Sequence, residues 1–180
     1  MALTSTEGWL FLLRWIHFLA GITWIGLLYY FNFVQGTAFA QAPQDAKSRQ
    51  INFVTLVPRA LLFFRWSAFI TFLFGLTLLL SYGNPGNLKA GYNVSSEGLT
   101  IIVGAVLGTI MMLNVWGIIW PNQKRLIAAN QAALDGSTTP PPDQPKWARR
   151  GFLASRVNTM FSIPMVFFMV AAPHIPGFAH

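Results

Sequence analysis

Arg14 and His17 lie three positions apart in RWIHFLAGITWIG (residues 14–26), a stretch that is otherwise apolar. On a helix that spacing puts guanidinium and imidazole on one face, which Gly21 and Trp24 continue. Ionisable groups are expensive in an apolar helix, so each is a candidate for function. A histidine followed one turn later by a glycine suits a buried macrocycle, because the imidazole can ligate iron while the bare backbone leaves room for a flat ring. Arg14 can then pair with a propionate at the water boundary. His174 closes the last apolar run at a similar depth, which makes His17 and His174 a candidate axial pair for haem b. The plainer alternatives are a hydrogen bond from His17 to a neighbouring helix and an interfacial role for His174 between Pro173 and Pro176.

A second set lies toward the opposite end of the same runs: Arg65, Asn114, Arg156 and Asn158. Their guanidinium forks and amides, at comparable depth, could receive a planar anion or a quinone carbonyl. Arg65 could instead snorkel toward water. No carboxylate falls inside an apolar run, so an Asp/Glu proton relay is not expected and a proton-driven transporter is disfavoured. Met111, Met112, Met160, Met165 and Met169 read as core filling ahead of axial or copper ligands. The chain has no cysteine, which excludes disulfides, thiolate-held clusters, a covalently attached c-type haem and a thiol nucleophile.

The elements that must position these groups are membrane helices. The chain has 180 residues, 54% hydrophobic and only 9% charged, with mean hydropathy +0.49. Four apolar runs, about 9–34, 57–82, 99–120 and 152–174, are each long enough to span the hydrocarbon core. The expected fold is all-α: a single integral-membrane four-helix bundle over residues 1–180. The net charge of +7 is carried mostly by Lys and Arg in loops flanking the runs. Membrane topology and anionic lipid explain that distribution better than nucleic acid, and no nucleic-acid partner is expected. Lys47, Arg49 and Arg59 mark the first loop as cytoplasmic, and Lys124, Arg125, Lys146, Arg149 and Arg150 mark the third. Both termini then lie on the periplasmic or outer side, with the bacterial inner membrane as the expected location. The third loop, 121–151, reads as a short amphipathic helix ending at Gly136 followed by a stiff Pro-rich linker. GAVLG matches the small-residue spacing at Gly104 and Gly108 that lets helices approach closely. Trp9, Trp120 and Tyr82 are assigned to the interfacial aromatic belt.

Several blocks also resemble a known family. GWLFLLRWIHFLAGITWIGLLYYF is similar to the first helix of the membrane domain of PuuD-type urate oxidases (urate hydroxylases). RWSAFITFLFGLTLLL resembles that family's second helix, and IIWPNQKRLIAA and SRVNTMFSIPMVFFMVAAPHIP resemble later segments. The blocks keep the family's order and cover about two thirds of the chain. His17, Trp24, Asn158 and His174 match the pattern, whereas Ser67 stands where an acidic residue is expected, and Ala171, Ala172 and Pro173 replace a Ser-Asn pair. The resemblance implies urate oxidation with electrons leaving to a cytochrome c. The four spans and the lack of a C-x-x-C-H motif imply a short form without the family's cytochrome c domain.

Three functions compete on these grounds. The first is a membrane redox protein or subunit that binds haem b and passes electrons to a cytochrome c or quinone partner. The second is a non-catalytic subunit packed against other membrane subunits. The third, resting on architecture, is a small protoporphyrinogen oxidase-like protein of the haem pathway.

Overall fold

The computed structural model describes residues 5–41, 46–82, 96–136 and 139–174. Where apolar side chains run on without interruption the backbone must satisfy its own hydrogen bonds, and a helix does this within one segment. The chain accordingly forms α1 (Thr6–Tyr29), a π-helical turn (Tyr30–Gln35), α2 (Gly36–Gln41), α3 (Ala46–Tyr82), α4 (Ser96–Asn114), a second π-helical turn (Val115–Ile119), α5 (Trp120–Leu134) and α6 (Gln144–His174). Ser5 caps α1 by accepting the Gly8 N–H at 3.1 Å. Further along, Thr23, Thr55, Thr77 and Thr109 each donate their hydroxyl to a carbonyl one turn earlier, so these polar groups make no demand on the lipid.

Four continuous helices are long and apolar enough to cross a membrane: Thr6–Phe39, Lys47–Ser81, Leu99–Leu134 and Gln144–Ala171. They outrun the apolar stretches of the sequence. At 1.5 Å per residue a helix of 34 residues reaches about 50 Å, against a hydrocarbon core of about 30 Å. The segment expected as a separate amphipathic helix in the third loop is instead the uninterrupted continuation of the third span, through α5. Gly136, with φ +101°, ends it in the left-handed conformation that a glycine adopts without strain.

Helix α1 packs along α3, and α4 packs along α6; α5 touches both α3 and α6 and so ties the two pairs together at one end. The core lies between the pairs and includes Trp24, Leu28, Val57, Phe64, Met111, Val115 and Met165. Large apolar side chains also cover the outside of all four spans, among them Phe18, Ile22, Phe63, Leu80, Leu113, Met160 and Ile163. A bundle apolar both inside and outside is one whose solvent is lipid. The chain is an integral membrane four-helix bundle.

The two π turns have identifiable causes. In the first, Asn32 Nδ2 donates at 2.8 Å to Leu28 O, the carbonyl that an unbroken α-helix would offer to the Asn32 N–H. The Gly36 N–H then reaches back five residues to Phe31 O. In the second, Pro121 has no N–H and its ring crowds the carbonyl four residues earlier. The helix widens just before it, with the Trp120 N–H reaching Val115 O.

Candidate functional site

His17 is half-buried where α1 meets α3. Its Nδ1 lies 2.8 Å from Thr71 O. A carbonyl can only accept, so in the neutral ring Nδ1 carries the proton and Nε2 keeps its lone pair. The imidazole rests on Gly75: a Cβ there would lie 2.8 Å from His17 Cε1 and 3.1 Å from Nδ1. The glycine that makes room for the ring is therefore Gly75, on the partner helix. Gly21 meets Thr71, where a Cβ would stand 3.8 Å from Cγ2, an ordinary contact. Arg14 is exposed at the same end of α1, and Trp24 is buried in the core at 2% exposure. The Trp24 Nε1 is shielded and has no hydrogen-bond acceptor among the described residues. α6 runs to His174, but that side chain lies outside the described residues, as does the proposed His17–His174 pair.

The second set divides. Asn114 and Asn158 come together across α4 and α6: Asn114 Nδ2 donates to Asn158 Oδ1 at 3.0 Å, and Asn158 Nδ2 donates to Met111 O at 2.9 Å. Asn158 is fully buried. Arg65 belongs to a different contact, with its guanidinium 3.9 Å from the Trp120 ring centroid and 5.8 Å from that of Trp116. Trp116 Nε1 donates to Arg65 O at 3.2 Å, which fixes the indole against the arginine's own backbone. Trp120, assigned to the belt by sequence, thus also covers a cation. Arg156 is exposed on α6 and lies over the Phe152 ring of its own helix at 4.8 Å.

Around Asn158 the bundle carries a polar spine that sequence reasoning missed. Tyr29 OH and Ser162 Oγ are 2.9 Å apart, Ser162 donates to Thr159 O at 2.7 Å, and Asn32 Nδ2 donates to Ser155 Oγ at 2.7 Å. Ser155, Asn158, Thr159 and Ser162 recur at helical spacing on α6: Ser162 meets α1, Ser155 the first π turn and Asn158 α4, while Thr159 donates to Ser155 O of its own helix at 3.0 Å. That stripe, together with Asn32 inside the first apolar run, was the available signal. Among the described residues no three His, Asp or Glu side chains cluster as a metal site.

A sequence profile for the family described as urate oxidase N-terminal matches residues 89–180, just over half of the chain. The chain belongs to the urate oxidase N-terminal family. No curated protein and no solved structure matches it. Within this urate oxidase-like membrane protein the matched region contains α4, α5 and α6, and so both partners of the Asn114–Asn158 contact, together with Arg156 and His174. Arg14, His17 and Arg65 come before it.

Proposed function

We propose that this protein is a membrane redox protein or subunit of the urate oxidase type, which takes electrons from urate and passes them to a cytochrome c or quinone partner through a haem b. The observation that carries the reading is the state of His17. Its Nδ1–H is spent on a backbone carbonyl of α3, which fixes the tautomer and ring orientation and leaves Nε2 as the basic nitrogen, the arrangement that metal-ligating histidines use. The donor chemistry therefore fits a haem. His17 would hold it, with His174 as the proposed second axial ligand and Arg14 as the propionate partner. When bound, the group would supply a one-electron relay. Thr71 and Gly75 act through His17: the carbonyl orients the imidazole and the missing side chain gives it room.

The test is the absorption spectrum of the purified full chain in detergent, with and without urate under anaerobic conditions. A Soret band that changes on urate addition, and that is lost or shifted in His17→Ala, is the expected result. No Soret band together with a negative pyridine haemochrome removes the haem. A band unchanged in His17→Ala removes the ligand assignment.

A further inference from the structure

At Trp120 the third span passes from apolar side chains to PNQKR (residues 121–125), so the Trp120 ring stands near the water boundary at the α5 end. Arg65 meets it there, partly buried, with its guanidinium 3.9 Å from the ring centroid. Of its three nitrogens Nε is shielded and the two Nη groups remain accessible, and none of the three donates to a described residue. No described carboxylate pairs with it; the ion pair at this end of the bundle joins Lys146 to Asp143. A snorkelling arginine extends freely to water. This one is held against α5 by the indole, at a depth where a cation ordinarily has a counter-charge. Beside it the exposed face of α3 is a single apolar stripe, Leu62, Trp66, Phe69, Leu73, Leu76 and Leu80, spaced at three and four residues. Trp66 and Phe69 meet Trp116 edge to face, with centroids 5.6 and 6.2 Å apart. The stripe leads from the guanidinium into the hydrocarbon, the path of an acyl chain. Lys124, exposed one turn beyond Trp120 on α5, adds a second cation on the water side.

We propose that Arg65 and Lys124 hold the phosphate of an anionic phospholipid in the leaflet at the α5 end, with its acyl chains laid along the α3 stripe. The two Nη groups offer paired donors that match two phosphate oxygens. Trp120 already restrains the fork, so little freedom is lost on binding. Lys124 sets the preference for a head group without an ammonium, since a zwitterionic lipid would bring a second cation against it.

The experiment is native mass spectrometry of the full chain released from detergent, titrated with dioleoylphosphatidylglycerol or dioleoylphosphatidylcholine. Saturable binding of phosphatidylglycerol is expected, about fivefold or more tighter than phosphatidylcholine and weakened by a similar factor in Arg65→Gln and in Lys124→Gln. Arg59→Gln removes an exposed cation earlier on the same helix and should bind as wild type. Millimolar glycerol 3-phosphate, which carries the phosphate without acyl chains, should leave the lipid in place. Lys124 is exposed, so its variant decides the matter even where Arg65→Gln does not fold. Equal affinity for the two lipids, wild-type binding in Lys124→Gln or in a folded Arg65→Gln, or an equal loss in Arg59→Gln would overturn the proposal. Displacement by glycerol 3-phosphate would also overturn it, by showing a site for free phosphate instead of lipid.

Discussion

Gly75 and Gly21 show how a single missing methyl can be decisive at one position and ordinary at another. A methyl at position 75 would sit 2.8 Å from His17 Cε1, and the ring cannot withdraw without stretching its 2.8 Å bond to Thr71 O. Gly75→Ala should therefore destabilise the bundle by about 1–3 kcal/mol, the usual range for overpacking. It should also shift the imidazole resonances of His17. Gly21→Ala meets only a methyl at 3.8 Å and should be close to neutral. Thermal unfolding in detergent micelles separates the two, and equal losses would contradict the packing described. Asn158 poses a different problem, since both ends of its amide are used and it is fully buried. Hydrogen bonds between membrane helices average only about 0.6 kcal/mol. Truncation also opens a cavity and strands the Asn114 amide, so Asn158→Ala should lose about 2 kcal/mol. Unfolding free energies in mixed micelles check this value, and a loss below about 0.5 kcal/mol would mean that the site relaxes around the missing amide.

At the scale of helices, the small-residue pair read from GAVLG is unequal. A Cβ at Gly104 would lie 3.2 Å from Met169 Cγ and 3.4 Å from Met165 O, whereas one at Gly108 would find Met165 Cγ at 3.9 Å. The tight contacts are to the flexible Met169 side chain, and the fixed carbonyl at 3.4 Å leaves room for one methyl but nothing larger. Gly104→Val should push α4 from α6 and cost about 2–3 kcal/mol, with Gly108→Ala nearly silent. The corresponding unfolding midpoints give the comparison directly. The length of the helices was only partly legible. Apolar runs end where the hydrocarbon ends, while helices continue as long as nothing stops them, so the third span passes through Pro121 into α5 and stops at Gly136. Pro121 could be read as a break. In the fold it widens the preceding turn into a π turn and the helix goes on.

For the whole molecule, the Lys and Arg residues from the first and third connections gather at the α5 end, and that end is proposed to face the cytoplasm. The chain has no cysteine, so single-cysteine variants report topology without background. Glu7→Cys should react with a membrane-impermeant maleimide from outside in intact cells, and Thr139→Cys only after permeabilisation. The opposite pattern would invert the proposed orientation. The same axis separates His17, toward one end of the bundle, from the two π turns, toward the other.

The sequence alone determined the class of molecule, the number of spans and the chemistry worth looking for, because composition and apolar run length depend on the solvent and not on the packing. It also singled out His17 and Asn158, since a polar residue in an apolar run is conspicuous wherever it ends up. What surrounds each of them was decided only by tertiary structure. The partner of His17 is a backbone carbonyl 54 residues away, and carbonyls carry no sequence signal. The glycine beneath its ring lies on another helix, so spacing along α1 pointed to Gly21. Arg65 and Asn158 shared a depth in the sequence, yet they turn to different neighbours: Arg65 to Trp116 and Trp120, Asn158 to Asn114 and Met111. Depth along a membrane helix can be counted from residue numbers, whereas the direction a side chain takes around that helix is fixed by which helices pack against it.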